Sequence, residues 1–228
     1  MIHRGSDVSI VENLDRVRER IEAACQRAGR ESSAVTLIGV TKTVGAEAVV
    51  EAYKAGLRDF GENRVQEALA KIDAVEQECI GSRWHMIGHL QTNKVKIAAG
   101  RFGIIHSVDS VRLAKEISRR YESDVPVLIE VNVAQDAAKF GFAPEEVAAA
   151  LREIAVLPHL DVRGLMTIAL QTSNPEETRS IFRRLRELRD ELALDELSMG
   201  MSGDFEVAIE EGATMIRVGT AIFGSRSE

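Results

Sequence analysis

Strand-like runs recur eight times along the chain, at residues 35–40, 58–60, 83–87, 103–108, 125–133, 162–168, 196–199 and 215–218. Helical patterns fill the gaps, at 46–55, 65–78, 93–99, 110–121, 144–156, 175–192 and 205–211. Strands joined through helices are parallel, because a parallel pair needs a long crossover where an antiparallel pair needs only a turn. The first run, Val35-Thr36-Leu37-Ile38-Gly39-Val40, is continuously apolar apart from one threonine, as suits a strand covered on both faces. Eight such units in one domain specify an α/β fold, a single (β/α)8 TIM barrel, and 228 residues lies near the lower end of that fold's usual range. The competing architecture is an open doubly wound sheet. A dinucleotide-binding version is excluded by the first strand–helix turn, Thr41-Lys42-Thr43-Val44-Gly45, which lacks G-x-G-x-x-G. No G-x-x-x-x-G-K-[ST] loop occurs either.

A further helical pattern at 8–29 has no strand of its own and is expected on the barrel's flank or floor, with Val11, Leu14, Val17, Ile21 and Ala24 on its buried stripe. Pro144 and Pro175, each followed by two glutamates, mark helix starts, where a missing N–H costs nothing and acids suit the positive end. No linker or low-complexity tract divides the chain, so one domain over residues 1–228 is expected.

Charge and cysteine content narrow the function. With 29 Lys+Arg against 36 Asp+Glu the formal net charge is −7, which suits nucleic acid and anionic membranes poorly. No stretch reaches the ~20 apolar residues of a membrane span, and residues 1–20 lack the apolar core of a secretory signal. Two distant cysteines, Cys25 and Cys79, fit free thiols in a reducing cytoplasm. No unpartnered apolar stripe demands a second subunit, so a monomer is expected.

In a barrel, functional side chains stand at the C-terminal ends of the strands. After the first strand that rule selects Lys42, one charge beyond an apolar run, where an amine can attack a carbonyl. Its bland alternative is a snorkelling surface lysine. After the second strand it selects Asn63, which could equally be the N-cap of the next helix. The loops after strands seven and eight are this fold's recurrent phosphate site. They carry Ser202 in Met199-Gly200-Met201-Ser202-Gly203-Asp204, and Gly219 with Thr220. Arg217 shares a face with Met215 and Gly219; an inward-facing guanidinium needs a partner, either a carboxylate or a ligand.

Strands 7, 8, 1 and 2 are consecutive in a closed barrel, so these candidates crowd one sector of the rim. A ligand with both a phosphate and an aldehyde suits them. Pyridoxal 5′-phosphate (PLP) fits. So does a phosphorylated sugar or keto acid in a Schiff-base aldolase. His85 and His89 lack the glutamate of H-E-x-x-H and sit in a strand-like context, so a rim or loop-anchoring role is expected rather than a metal site. The patch of Gln91, Asn93, Lys94 and Lys96 reads as a solvated helix face, and the run 183–189 as a mixed-sign amphipathic helix.

Several longer segments carry a specific resemblance: Gly39-Val40-Thr41-Lys42-Thr43, Phe60-Gly61-Glu62-Asn63-Arg64-Val65-Gln66-Glu67, Trp84-His85-Met86-Ile87-Gly88-His89, Leu197-Ser198-Met199-Gly200-Met201-Ser202-Gly203-Asp204 and Ile216-Arg217-Val218-Gly219-Thr220-Ala221. With them the chain resembles the pyridoxal 5′-phosphate homeostasis proteins, themselves similar to the barrel domain of alanine racemase. The resemblance implies that Lys42 forms the Schiff base with PLP. It implies that Ser202, Gly219 and Thr220 hold the phosphate, that Arg217 stands near the pyridine nitrogen, and that Asn63 lies near the ring. It also implies cofactor buffering or delivery, with transient contacts to PLP-dependent apoenzymes. A cationic Arg217 disfavours a protonated ring and weakens the electron sink that carbanion chemistry needs. The sequence ends with the barrel, so the second domain of a racemase is expected to be missing. Tyr53 and Tyr121 fall in helical patterns away from the strand ends. A carrier is therefore expected, with no catalytic residue assigned. A PLP-dependent racemase or lyase using the same Lys42 is the alternative, and a regulatory interaction module a third reading.

Overall fold

The computed structural model describes residues 9–136, 138–170 and 172–224. The expected helix start at Val8, and the expectations that rest on residues 1–8 and 225–228, lie outside the described residues. The eight strands close into one parallel barrel in sequence order: β1 (Thr36–Val40), β2 (Asp59–Glu62), β3 (Arg83–Met86), β4 (Ile104–Val108), β5 (Val125–Glu130), β6 (Leu160–Met166), β7 (Glu196–Ser198) and β8 (Met215–Val218). Closure is direct, since β1 pairs with both β2 and β8.

Between the strands lie α2 (Ala46–Lys54), α3 (Val65–Val75), α4 (Val95–Ala98), α5 (Val111–Arg120), α6 (Val147–Ile154), α7 (Arg179–Glu191) and α8 (Phe205–Glu210), with a short α9 (Thr220–Phe223) after β8. The expected strand-less helix is α1 (Ile10–Arg27), capped by a reciprocal pair of bonds between Ser9 and Glu12. It packs on α8, α9 and α2, covering the flank where the barrel closes. Leu14, Val17, Ile21 and Ala24 are buried as expected, whereas Val11 is 43% exposed, because Ile10 takes the core-facing place in that turn.

Two apolar layers result. The larger lies between strands and helices; the smaller, of Ile38, Ile104, Leu128, Met166 and Met215, fills the barrel interior. That inner layer fixes the alternation. With Ile38 and Met215 inward, Arg217 and Gly219 also face in, and the continued phase of β1 places position 42 over the mouth. Gly164 is forced by a close approach: a Cβ there would lie 2.0 Å from the carbonyl oxygen of Glu196 on β7. Gly164→Ala is therefore expected to cost about 1–3 kcal/mol by overpacking. Thermal melting checks this, and an unchanged Tm would mean that β6 and β7 part freely.

Several boundaries differ from the sequence expectation. β2 runs through Gly61 and Glu62, because both pair with β3. β5 stops at Glu130, and the helix expected at 65–78 ends at Val75, leaving Cys79 in a turn. Pro144 and Pro175 do open their segments, each as the first residue of a short 3-10 turn leading into α6 and α7. Both cysteines are buried free thiols. Among the described residues no helix is long and apolar enough to cross a membrane.

Candidate functional site

The C-terminal ends of β7, β8, β1 and β2 form the expected sector. Lys42 follows β1 in a turn, is exposed, and has no hydrogen bond or ion pair with the described residues. The next residue, Thr43, has φ 63°, a left-handed conformation that costs a β-branched residue on the order of 1–3 kcal/mol. Behind the turn, Thr41 is wholly buried and faces outward. Its hydroxyl donates to Glu62 Oε1 at 2.6 Å, and Lys71 Nζ on α3 donates to both Glu62 Oε1 and the Thr41 carbonyl. Pinning Thr41 outward fixes the start of the turn that carries Lys42. Two other lysines in the neighbourhood are committed: Lys71 as described, and Lys139 to the carbonyls of Ile168 and Ala169, each at 3.1 Å.

Ser202 Oγ accepts two backbone N–H bonds, from Gly219 at 3.2 Å and Ala221 at 3.3 Å. An oxygen thus already sits where amides converge, the donor set that a phosphate oxygen needs. Thr220, exposed between them, opens α9. The Ala221 amide is a backbone donor that side-chain chemistry could not reveal in the sequence.

Asn63 does not cap α3; Arg64 holds that position, without a side-chain cap bond. Asn63 Oδ1 is instead a buried acceptor with no partner. It lines a cavity of about 460 Å3 with Arg64, Gly88, His89, Gln91 and Lys94. Gly88 holds it there by close approach, since a Cβ at 88 would come within 2.4 Å of the Asn63 carbonyl oxygen.

Arg217 is buried in the barrel interior. Among the described residues no carboxylate is bonded to it. It donates to Ser198 Oγ at 2.6 Å and to the Thr167 carbonyl at 2.9 Å. Burial pushes its pKa down to about 10, against the pull of Glu130 and Asp204, so it stays cationic at neutral pH. Glu130, at the end of β5, is pushed up to about 7, first by burial and then by Asp109, with Arg217 opposing. The strand-end rule misses Glu130 in the sequence because the apolar run continues to residue 133, and only the observed end of β5 places the acid at a strand terminus.

His85 is not at the rim; it is buried inside the barrel on β3. His89 is at the rim, paired with Asp109 at 2.8 Å and stacked on Phe140 with ring centroids 3.8 Å apart. Among the described residues no group of three or more His, Cys, Asp or Glu is arranged to hold a metal ion. Tyr53 donates to the Ile80 carbonyl, and Tyr121, just past α5, to that of Ala98; both stand away from the strand ends. A groove of about 790 Å3 lies between α1, α2 and α3 on the outer flank and is lined by none of the candidate residues.

The profile of the family described as "Alanine racemase, N-terminal domain" matches residues 13–227. The chain belongs to that family. A relative from Aquifex aeolicus, named pyridoxal phosphate homeostasis protein, is 50% identical over 224 residues, covering 94% of this chain and 97% of its own. One of the same name from Pseudomonas aeruginosa is 46% identical, covering 96% of each chain. The solved structure of PipY from Synechococcus elongatus with PLP bound superposes with a TM-score of 0.83 at 38% identity, over 95% of this chain and all (100%) of that one. Alanine racemase from Corynebacterium glutamicum shares the fold, with a TM-score of 0.67 at 21% identity over 93% of this chain and 62% of its own.

Proposed function

We propose that this chain binds pyridoxal 5′-phosphate through Lys42 and acts in PLP homeostasis, buffering or delivering the cofactor rather than turning over a substrate. One observation carries the reading: an uncommitted lysine at the end of β1 stands in the same rim sector as an amide cradle already closed on an oxygen. The names of the relatives and the PLP-bound PipY structure support it.

In this reading Lys42 supplies the amine that links to the aldehyde, and the cofactor contributes an electrophilic carbonyl on an aromatic ring. The Gly219 and Ala221 amides that now donate to Ser202 Oγ, with the Ser202 and Thr220 hydroxyls, would hold the phosphate. Asn63 offers its orphaned carbonyl oxygen near the ring, and Arg217 places a cation at the ring nitrogen. No tyrosine stands at the strand ends to act as a second proton-transfer group, which favours carriage over racemisation. The protein is read as a cytoplasmic monomer, with Cys25 and Cys79 kept as thiols, and delivery requires transient contact with PLP-dependent apoenzymes.

Borohydride reduction of the PLP-loaded protein, followed by peptide mapping, is expected to place the label on Lys42. Label on Lys71 or Lys139 instead would overturn the assignment. Sustained turnover of alanine or serine enantiomers, lost in Lys42→Ala, would replace the carrier by an enzyme.

A further inference from the structure

Arg217 is the end of a longer chain. His106 Nδ1 lies 2.8 Å from Ser198 Oγ, His106 Nε2 lies 3.0 Å from His85 Nδ1, and His85 Nε2 lies 2.9 Å from Asp59 Oδ1. Asp59 in turn is held by the mostly exposed Arg83 at the opposite end of the barrel. Polar groups from β8, β7, β4, β3 and β2 thus form one continuous line through an interior otherwise lined by Ile38, Ile104, Leu128, Met166 and Met215. Burying so many polar groups is costly unless each is satisfied, and here each is bonded to its neighbours in the line, Arg217 also to the Thr167 carbonyl.

The line has a definite sense. Asp59 is held below the ordinary carboxylate range by its bonds to His85 and Arg83, which outweigh its burial, so it is an acceptor. Arg217 can only donate to Ser198 Oγ, whose own proton then has His106 Nδ1 as its acceptor, so His106 Nε2 donates to His85 Nδ1 and His85 Nε2 donates to Asp59 Oδ1. His106 is held well below its usual value by burial, reinforced by His85 and Arg217, and is neutral; its Nδ1 then accepts from the Ser198 hydroxyl. Ser198 Oγ accepts from Arg217. Every bond points from the cation at the mouth to the carboxylate at the floor. The Asp59 carboxylate thus lies at the far end of the line, and Arg217 itself is bonded to the neutral oxygens of Ser198 and Thr167.

We propose that Ser198, His106, His85 and Asp59 are positioning residues for Arg217, a directional relay that fixes where the guanidinium stands beneath a bound PLP ring. The proposal deepens the PLP reading and rests on it for the ring. The relay itself exists without ligand. The other charged groups facing Arg217 are Glu130 and Asp204, the latter bonded to the Met201 amide.

Two measurements separate the ideas. Long-range proton–nitrogen NMR of the ligand-free protein is expected to show His85 and His106 both neutral with the proton on Nε2. An Nδ1 proton on His106 would overturn the relay whether or not PLP binds. In the PLP-loaded protein, Ser198→Ala and Asp59→Asn are expected to weaken PLP binding about tenfold, through misplacement of one charge-assisted bond. They should also shift the pH midpoint of the bound cofactor's visible absorbance, while Ser198→Thr restores both. Parent-like affinity and midpoint in folded Ser198→Ala would overturn the proposal. Failure of the parent to take up PLP would sink the cofactor reading and leave the NMR test of the relay standing.

Discussion

Lys71→Ala is expected to lower the unfolding free energy by about 3–5 kcal/mol, the usual cost of stripping one partner from a buried ion pair. Glu62 is wholly buried, and Lys71 nearly so, with Nζ at 2.5 Å from Oε1. The other carboxylate oxygen, Oε2, has no partner. Without the ammonium, a buried charge would keep only the Thr41 hydroxyl. Urea unfolding at neutral pH measures the loss, expected as a midpoint shift of roughly 1 M or more at the slopes typical of such proteins. The double variant Lys71→Met with Glu62→Gln removes both charges and is expected to recover most of it. A single-variant loss below about 1 kcal/mol would mean that water reaches Glu62, the outcome seen for exposed pairs. Because Lys71 also bonds the Thr41 carbonyl, the damage extends to the turn that presents Lys42.

The barrel was legible because each parallel strand must be covered by the helix that follows it, so its signature is local. Lys42, Ser202 and Gly219 were legible for the same reason: position at a strand end is enough to select them. The groups that hold them were not. Asp59 with His85 and His106 with Ser198 are brought together only when strands distant in sequence assemble into the barrel, the last pair 92 positions apart, while Glu62 with Lys71 is local to one strand and its helix but depends on which face of each is buried. Arg217 shows the difference. Alternation along β8 correctly turned it inward and demanded a partner, but whether that partner was a carboxylate or a neutral hydroxyl depended on which residue β7 brought alongside. The β2 boundary moved for the same reason: Gly61 and Glu62 are strand residues because His85 and Met86 pair with them.

Glu130→Gln is expected to stabilise the protein at pH 8 by about 2–3 kcal/mol and to give little gain near pH 4.5. The carboxyl is pushed to about 7 in the folded chain, by burial first and Asp109 second, from an ordinary value of 4.5. Between those values the native state holds a proton that the unfolded chain has released, so stability falls as pH rises through the window and the loss is complete above it. Displacement of the carboxyl from 4.5 to about 7, at about 1.4 kcal/mol per pH unit, sets an upper limit of about 3.5 kcal/mol for this group, lowered by its residual contact with solvent. Glutamine keeps the shape and remains neutral, removing the penalty where it is largest. Unfolding at the two pH values checks the sign, and an equal gain at both would assign the effect to packing rather than ionisation. The same titration bears on the site. Ionised Glu130 opposes the field of Arg217 and protonated Glu130 leaves it intact, so the natural glutamate makes the charge at the barrel mouth vary near neutral pH where glutamine would hold it constant.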